Sequence, residues 1–169
     1  MFNLKTAFVS TALMMGVVAM SQAANAQQRC FTLASLQGNY AVIGNYGANL
    51  AIALATRNFD GNGNMTGTFT VNEPTPGSTT GERTIVTGTQ KGTYTVNCDG
   101  TGTITRTLSA SNGVTATQTD DFIITGATFG YYSQFVATSL VDASRSPSAI
   151  VTGGVFLSRT YTRLPTPVQ

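Results

Sequence analysis

Threonine on alternate positions constrains this chain more than any other feature. Gly67-Thr68-Phe69-Thr70-Val71, Thr93-Tyr94-Thr95-Val96 and Thr103-Ile104-Thr105-Arg106-Thr107-Leu108 all alternate hydroxyl and larger side chains with period two. A β-branched residue at every second position suits an extended backbone with one face buried, and no helical period is sustained after the first 26 residues. Turn signals separate such stretches at Asn45 to Gly47, Asp60-Gly61-Asn62-Gly63, Pro74 to Gly77, Asp99-Gly100, Asn112-Gly113 and Gly126. Strands are expected near 39–45, 49–59, 65–72, 83–88, 91–98, 102–110, 114–125, 129–141 and 150–161. So many short strands on short connections imply an all-β fold, an antiparallel up-and-down β-barrel of eight to nine strands, with a β-sandwich as the alternative.

Register is tested by asking which loop length brings apolar faces together, because a slip of one residue turns every side chain over. A three-residue loop from Asp99 to Thr101 sets Val96 against Ile104 and Tyr94 against Arg106. At the next hairpin, a loop of 111–113 with Gly113 in the left-handed region sets Leu108 against Ala116 and Arg106 against Gln118. Phe122 and Ile124 share that face. Thr93, Thr95, Thr103, Thr105 and Thr107 fall on the other face, which is therefore expected to meet water. An outer-membrane barrel would instead show lipid-facing apolar rows and aromatic girdles around a polar lumen, and the terminal Pro165-Thr166-Pro167-Val168-Gln169 has no aromatic residue.

The first 26 residues carry one early lysine, Lys5, an apolar run from Ala7 to Met20, and Ala24-Asn25-Ala26. That is the pattern of a cleaved secretory signal peptide, with the mature chain expected to begin at Gln27. The domain plan is therefore a signal peptide over 1–26, one β-barrel domain over 27–162 and a flexible tail over 163–169. Export implies a secreted protein, either periplasmic or extracellular, with no stable membrane insertion after signal cleavage. In such an oxidising compartment Cys30 and Cys98, the only two cysteines, are expected to form a disulfide. A redox-active or intermolecular pair is the alternative, although a Cys-x-x-Cys spacing is absent.

Composition removes several chemistries. The chain has no His and no Trp, so no Ser-His-Asp or Cys-His device and no imidazole metal site can be built. Nine Lys and Arg against seven Asp and Glu, thinly spread, provide no basic stripe for phosphates, and nucleic-acid binding is not expected. Neither a cofactor nor a metal is expected. Asp60 to Asn64 places oxygen ligands at alternate positions, but Met65 and Val71 stand where a calcium loop needs Gly and Glu, which favours a tight hairpin. Asp120-Asp121 points to opposite faces of a strand and cannot act as a carboxylate pair. Glu73 and Glu82 flank a Pro/Gly/Thr loop and are expected to be solvated, while Tyr131 and Tyr132 split between core and surface.

What remains is a polar row on an otherwise apolar inner face: Tyr94, Arg106 and Gln118, with Asp120 diagonal to Arg106. A buried guanidinium needs a carboxylate or several acceptors, and Asp120 is the expected partner. In an open barrel mouth these four residues would form a ligand-binding site, Arg106 anchoring an acidic group and Tyr94 lending an aromatic wall. In a filled barrel they would be an internal ion pair closing the floor.

Three motifs carry a resemblance. Cys30-x-x-Leu33-x-x-Leu36-x-Gly38-x-Tyr40, Phe59-Asp60-Gly61-Asn62-Gly63, and the run from Gly92 through Cys98-Asp99-Gly100 to Thr103 are similar to a group of small secreted bacterial proteins. That group resembles calycin-like and allene-oxide-cyclase-like β-barrels. Gly38-x-Tyr40 sits where lipocalins and avidins carry Gly-x-Trp, but without Trp the stacking walls for biotin are missing. The resemblance therefore implies the barrel and not the ligand, and the cyclase's catalytic residues map onto no position here. The expected function is an exported soluble β-barrel, non-catalytic, that binds a small apolar or acidic ligand or serves as an envelope interaction module. The alternatives are a cyclase- or isomerase-like enzyme using Asp120 or Tyr94 for proton transfer, and a pilus- or adhesin-like structural subunit. The sequence does not fix the oligomeric state.

Overall fold

A computed structural model describes residues 30–46, 50–130, 134–151, 153 and 155–165. Residues 1–26, the expected signal peptide, together with Tyr131, Tyr132 and residues 166–169, lie outside the described residues. Eight strands form a closed antiparallel barrel in which each pairs with its neighbours in sequence. They are β1 (Gly38–Asn45), β2 (Ile52–Phe59), β3 (Asn64–Pro74), β4 (Arg83–Val96), β5 (Thr101–Ala110), β6 (Thr115–Phe129), β7 (Phe135–Ser144) and β8 (Ser158–Arg163). Pairing of β1 with β8, from Tyr40 opposite Arg163 to Asn45 opposite Ser158, closes the ring. Closure is what leaves no sheet edge exposed. Leu164 N still donates to Asn39 O, so the last strand stays attached slightly beyond the expected boundary at 162.

Two of the nine expected strands are one. The segments 83–88 and 91–98 belong to β4, whose internal glycines do not interrupt it. Gly88 and Gly92 share the parity of inward-facing Val86, Gln90 and Tyr94; a Cβ at Gly88 would lie 2.4 Å from the Phe69 ring, and one at Gly92 2.0 Å from the Thr105 carbonyl oxygen. These glycines let the sheet bend tightly around a small barrel. The last strand also begins later than expected. Residues 145–157 form the connection between β7 and β8, and its apolar Ile150, Val151 and Leu157 are buried because they cover one barrel end, not because they lie on a strand.

The opposite end is closed by the chain before β1. Cys30 is bonded to Cys98 in the β4–β5 loop, and Phe31 N donates to Cys98 O. A short 3₁₀ turn, Leu33–Leu36, then crosses the opening, with Ser35 Oγ accepting from Thr32 N. Leu36 is fully buried and Leu33 packs against the same apolar cluster. The hairpin at Asp60 is a turn, its carboxylate accepting from Asn62 N, Asn64 N and Asn64 Nδ2.

Hydroxyls do coat much of the outside. Thr95 and Thr103, Thr105 and Thr119, and Thr56 and Thr68 make cross-strand pairs at 2.9, 3.1 and 3.0 Å. The coat is interrupted across β1, β2 and β4, where Ile43, Ile52, Leu54 and Ile85 are each more than half exposed. One expected surface group is inside: Glu73, near the end of β3, is only 6% exposed because its parity matches inward-facing Phe69 and Val71. Burial pushes its carboxyl pKa up, partly offset by the Arg83 charge.

Candidate functional site

On β2, β5 and β8 the inward side chains follow one order, and that order creates a charged layer between two apolar ones. On β5 it runs Ile104, Arg106, Leu108; on β2, Phe59, Arg57, Ala55, Ala53; on β8, Tyr161 and Arg159, followed by Leu157 at the end of the β7–β8 connection. Ile104, Phe59 and Tyr161 belong to the cluster sealed by the 3₁₀ turn, with Tyr40, Met65, Tyr94 and Phe122. Leu108, Ala53 and Leu157 belong to the cluster under the β7–β8 connection, with Tyr46, Phe69, Val71 and Val86. An eight-stranded barrel is just wide enough for side chains to fill, so charged residues at mid-height must satisfy one another.

They do so through a connected network. Arg106 Nε donates to Asp120 Oδ2 at 2.9 Å, and Arg159 Nη2 lies 2.5 Å from Asp120 Oδ1. Arg159 Nε contacts both Asp142 oxygens at 2.9 Å. Arg57 Nη1 donates to the Tyr161 hydroxyl, which in turn donates to Asp142 Oδ2. Arg57 Nη1 is also 3.5 Å from Asp142 Oδ2, and its guanidinium carbon lies 4.9 Å from the Tyr161 ring centre. All six of these residues are at most 7% exposed.

The layer is charge-asymmetric. Among the described residues Arg57, Arg106 and Arg159 form ion pairs only with Asp120 and Asp142, which leaves one positive charge in excess. Burial together with the neighbouring Arg57 and Arg159 cations brings the Arg106 guanidinium down to about 10, so Asp120 compensates it only in part. Burial also opposes the cation of Arg159, yet Tyr161, Asp142 and Asp120 outweigh that and raise its pKa. Burial likewise works against the Asp120 carboxylate, but Arg159, Arg106 and Arg57 hold it below its ordinary value. Tyr161 is pushed up, chiefly by burial. Arg57 Nε and Arg106 Nη2 are buried and find no hydrogen-bond partner among the described residues.

A cavity of about 30 Å³, counted as space that water centres can occupy, adjoins this face of the layer. Its lining joins Arg57, Arg106 and Arg159 with Gln90, Gln118 and Tyr46, and the apolar part comprises Ala53, Ala55, Phe69, Val71, Leu108 and Ile150. Gln118 Nε2 donates to Pro147 O, tying the β7–β8 connection over the cavity.

Of the four residues singled out in the sequence, the structure brings three together. Arg106 lies opposite Gln118, as the second hairpin register requires, and both line the cavity. Asp120 is the partner of Arg106 but sits behind it, engaged by two guanidinium groups and outside the cavity lining. Tyr94 is elsewhere. The first hairpin pairs Val96 with Gly102 and Tyr94 with Ile104, two residues off the expected register, so Gly92 and not Tyr94 lies opposite Arg106. Tyr94 packs edge-on against Phe59 at 5.0 Å and donates its hydroxyl to Leu33 O, in the apolar layer below the charges. Sequence reasoning missed Arg57, Asp142, Arg159 and Tyr161. Each shares strand parity with buried apolar neighbours, and that signal was present.

Asp121, on the outer face as expected, makes a two-point pair with Arg145 at 2.6 and 2.8 Å. Among the described residues no group of three or more Cys, Asp or Glu is placed to hold a metal ion. The chain matches no protein-family model, no curated protein and no solved structure.

Proposed function

We propose that this chain is an exported, non-catalytic β-barrel that binds a small acidic molecule in its interior, with Arg106, Gln118 and Asp120 as parts of the site. The observation that carries the reading is the third guanidinium. Burying a cation without a matching anion is costly, and two hydrogen-bonding nitrogens left over beside a cavity are the recognition elements for a carboxylate. Asp120 serves as a positioning residue that holds Arg106 and Arg159, and Tyr94 has no part in binding.

Several observations support this choice over its rivals. The Cys30–Cys98 bridge suits an oxidising compartment outside the cytoplasm. An eight-stranded closed barrel is the architecture that the calycin-like resemblance requires. Proton transfer by Asp120 is poorly served by a carboxylate fixed to two guanidiniums, and Tyr94 lies in a different layer, so the cyclase-like reading loses both of its groups. A pilus-like subunit needs an unpaired strand edge, and β1 is paired with β8.

The test is to purify the protein gently from its own host, denature it, and analyse the released acids by mass spectrometry. An acid recovered in near-stoichiometric amount from the native protein and absent from Arg106→Met supports the reading. No released acid, and no effect of any added carboxylate on the unfolding midpoint, overturns it.

A further inference from the structure

The valence, size and shape of the ligand can be read from the same cavity, on the reading just given that the site takes an acid. Three guanidiniums against two carboxylates leave one positive charge, so a single negative charge neutralises the layer and a dianion would reverse its sign. Glu73 is not counted against it, because among the described residues it makes no ion pair with Arg57, Arg106 or Arg159. Arg163 does not add to the surplus either, since it lies over the Tyr40 ring on the side of the 3₁₀ turn.

Size follows from volume. One water centre needs roughly 10–15 Å³ of such space, so a cavity of about 30 Å³ has room for about two or three water molecules, roughly 60–90 Å³ at the liquid share of about 30 Å³ each, the space of one formate or acetate. Shape follows from the walls. The donors without a partner are Arg57 Nε and Arg106 Nη2, whereas Ala55, Phe69 and Leu108 in the same lining offer only apolar contact. A spherical anion would leave that apolar part without a partner. A planar carboxylate with a hydrogen or one methyl behind it matches both parts.

We propose that the interior site takes a small monocarboxylate of formate or acetate size, its two oxygens on Arg57 Nε and Arg106 Nη2 and its carbon end against Ala55, Phe69 and Leu108. Longer acids exceed the volume of this cavity. A fatty acid would need the β7–β8 connection to be displaced, breaking the bond from Gln118 to Pro147 O.

The experiment uses the exported protein with its disulfide intact. Thermal unfolding is followed at constant ionic strength in sodium gluconate, an anion too large for the cavity, with increasing replacement by formate, acetate, octanoate or chloride. Saturation-transfer NMR on ¹³C-labelled acetate reports contact directly. Formate and acetate are expected to raise the midpoint saturably, and octanoate and chloride to leave it unchanged. Arg106→Met should lower acetate affinity by about tenfold or more, the usual scale for one charge-assisted hydrogen bond. Ala55→Val keeps every charge and fills the cavity, and should abolish the effect, so the outcome does not depend on one variant folding. Octanoate acting where acetate does not would overturn the size assignment while leaving an acid-binding barrel intact. Chloride acting alone would overturn the carboxylate. If no anion acts on the wild-type protein, this inference and the functional reading beneath it both fail.

Discussion

Arg159 on β8 reaches Asp120 on β6 at 2.5 Å, across the intervening strand β7 that separates them in the sheet. On its way the same guanidinium holds Asp142 of β7 through Nε. One side chain therefore joins three consecutive strands from within, and on β5 Arg106 extends the chain of contacts to a fourth. Backbone pairing fixes each strand only to its neighbours. The charged layer adds connections that skip a strand, and so resists the shear by which a small barrel would change register.

The three arginines are not equivalent, and stability measurements should separate them. Arg159→Met strips both carboxylates of a partner, and is expected to cost about 3–5 kcal/mol, the usual range for breaking a buried pair. Arg106→Met leaves Asp120 held by Arg159 and removes the surplus charge, so its cost should stay below about 2 kcal/mol. Urea unfolding midpoints compare the two. Equal losses would mean that charge balance does not govern the layer.

Asp120 gives the layer a defined response to acid. Arg159, Arg106 and Arg57 outweigh burial and depress its folded pKa below the ordinary 3.8. A depressed carboxyl stabilises the fold fully above the unfolded value, and the contribution is lost as pH falls through the folded one. Asp60, Asp99 and Asp121 are also depressed, so the total acid limb contains exposed groups as well. The difference between wild type and Asp120→Asn isolates the buried one. That difference should be constant above about pH 5 and shrink below about pH 4. A difference that grows on acidification has the wrong sign for this network.

How much of this was legible in the sequence depends on parity. The first hairpin register was two residues off, yet Val96, Tyr94 and Ile104 still face inward, because an even shift preserves the face and changes only the neighbour. Arg106 was thus placed correctly inside while Tyr94 was wrongly placed beside it. At the second hairpin a single glycine in the left-handed region, Gly113 at φ +85°, fixed both face and neighbour. The remaining members of the layer lie on β2, β7 and β8, and the turn signal at Asp60 to Gly63 ties β2 to β3, not to the β7 and β8 strands that its Arg57 meets. The apolar residues of 145–157 imitate a strand because covering a barrel end demands the same burial as lining it. Alternation reports which side a residue occupies, whereas height within the barrel, which decides that Arg57 meets Asp142, is a product of closure.

Removing the disulfide should loosen one end and spare the other. Cys30 and Cys98 are separated by 68 positions, and on the chain-entropy account their bond stabilises the fold by about 4 kcal/mol. The double replacement Cys30→Ala with Cys98→Ala is expected to lose most of that. Hydrogen exchange should accelerate first at Phe31 and Tyr94 amides, which bond Cys98 O and Gly63 O near the 3₁₀ turn. Faster exchange beginning instead at Ser144 or Ser148, under the opposite end, would contradict this division of the barrel.

Tyr94 offers a check on the boundary of the site. Its hydroxyl donates to Leu33 O at 2.9 Å, and Tyr94→Phe leaves that carbonyl without this donor. The expected loss is about 1 kcal/mol of stability. Acetate should raise the midpoint of the variant by the same amount as that of wild type. A loss of the acetate effect would return Tyr94 to the site and with it the register first expected from the sequence.

Two glycine replacements test whether inward space or backbone conformation limits the barrel. At Gly92 a Cβ would fall 2.0 Å from the Thr105 carbonyl oxygen and 2.6 Å from the Arg106 Cα, both backbone atoms that cannot turn aside. Gly92→Ala must therefore push β5 away from β4 beside the charged layer, with an expected cost of about 3 kcal/mol. Gly113 meets nothing within 4 Å, and its only demand is φ +85°. Gly113→Ala should cost about 1–2 kcal/mol, the penalty of a left-handed residue with a side chain. The larger loss should also weaken carboxylate binding, because Arg106 is carried on the displaced strand, while Gly113→Ala leaves binding unchanged. Similar losses from the two variants, or binding preserved in Gly92→Ala, would show that β5 can shift without moving the guanidinium and would sever the link argued here between barrel curvature and the site.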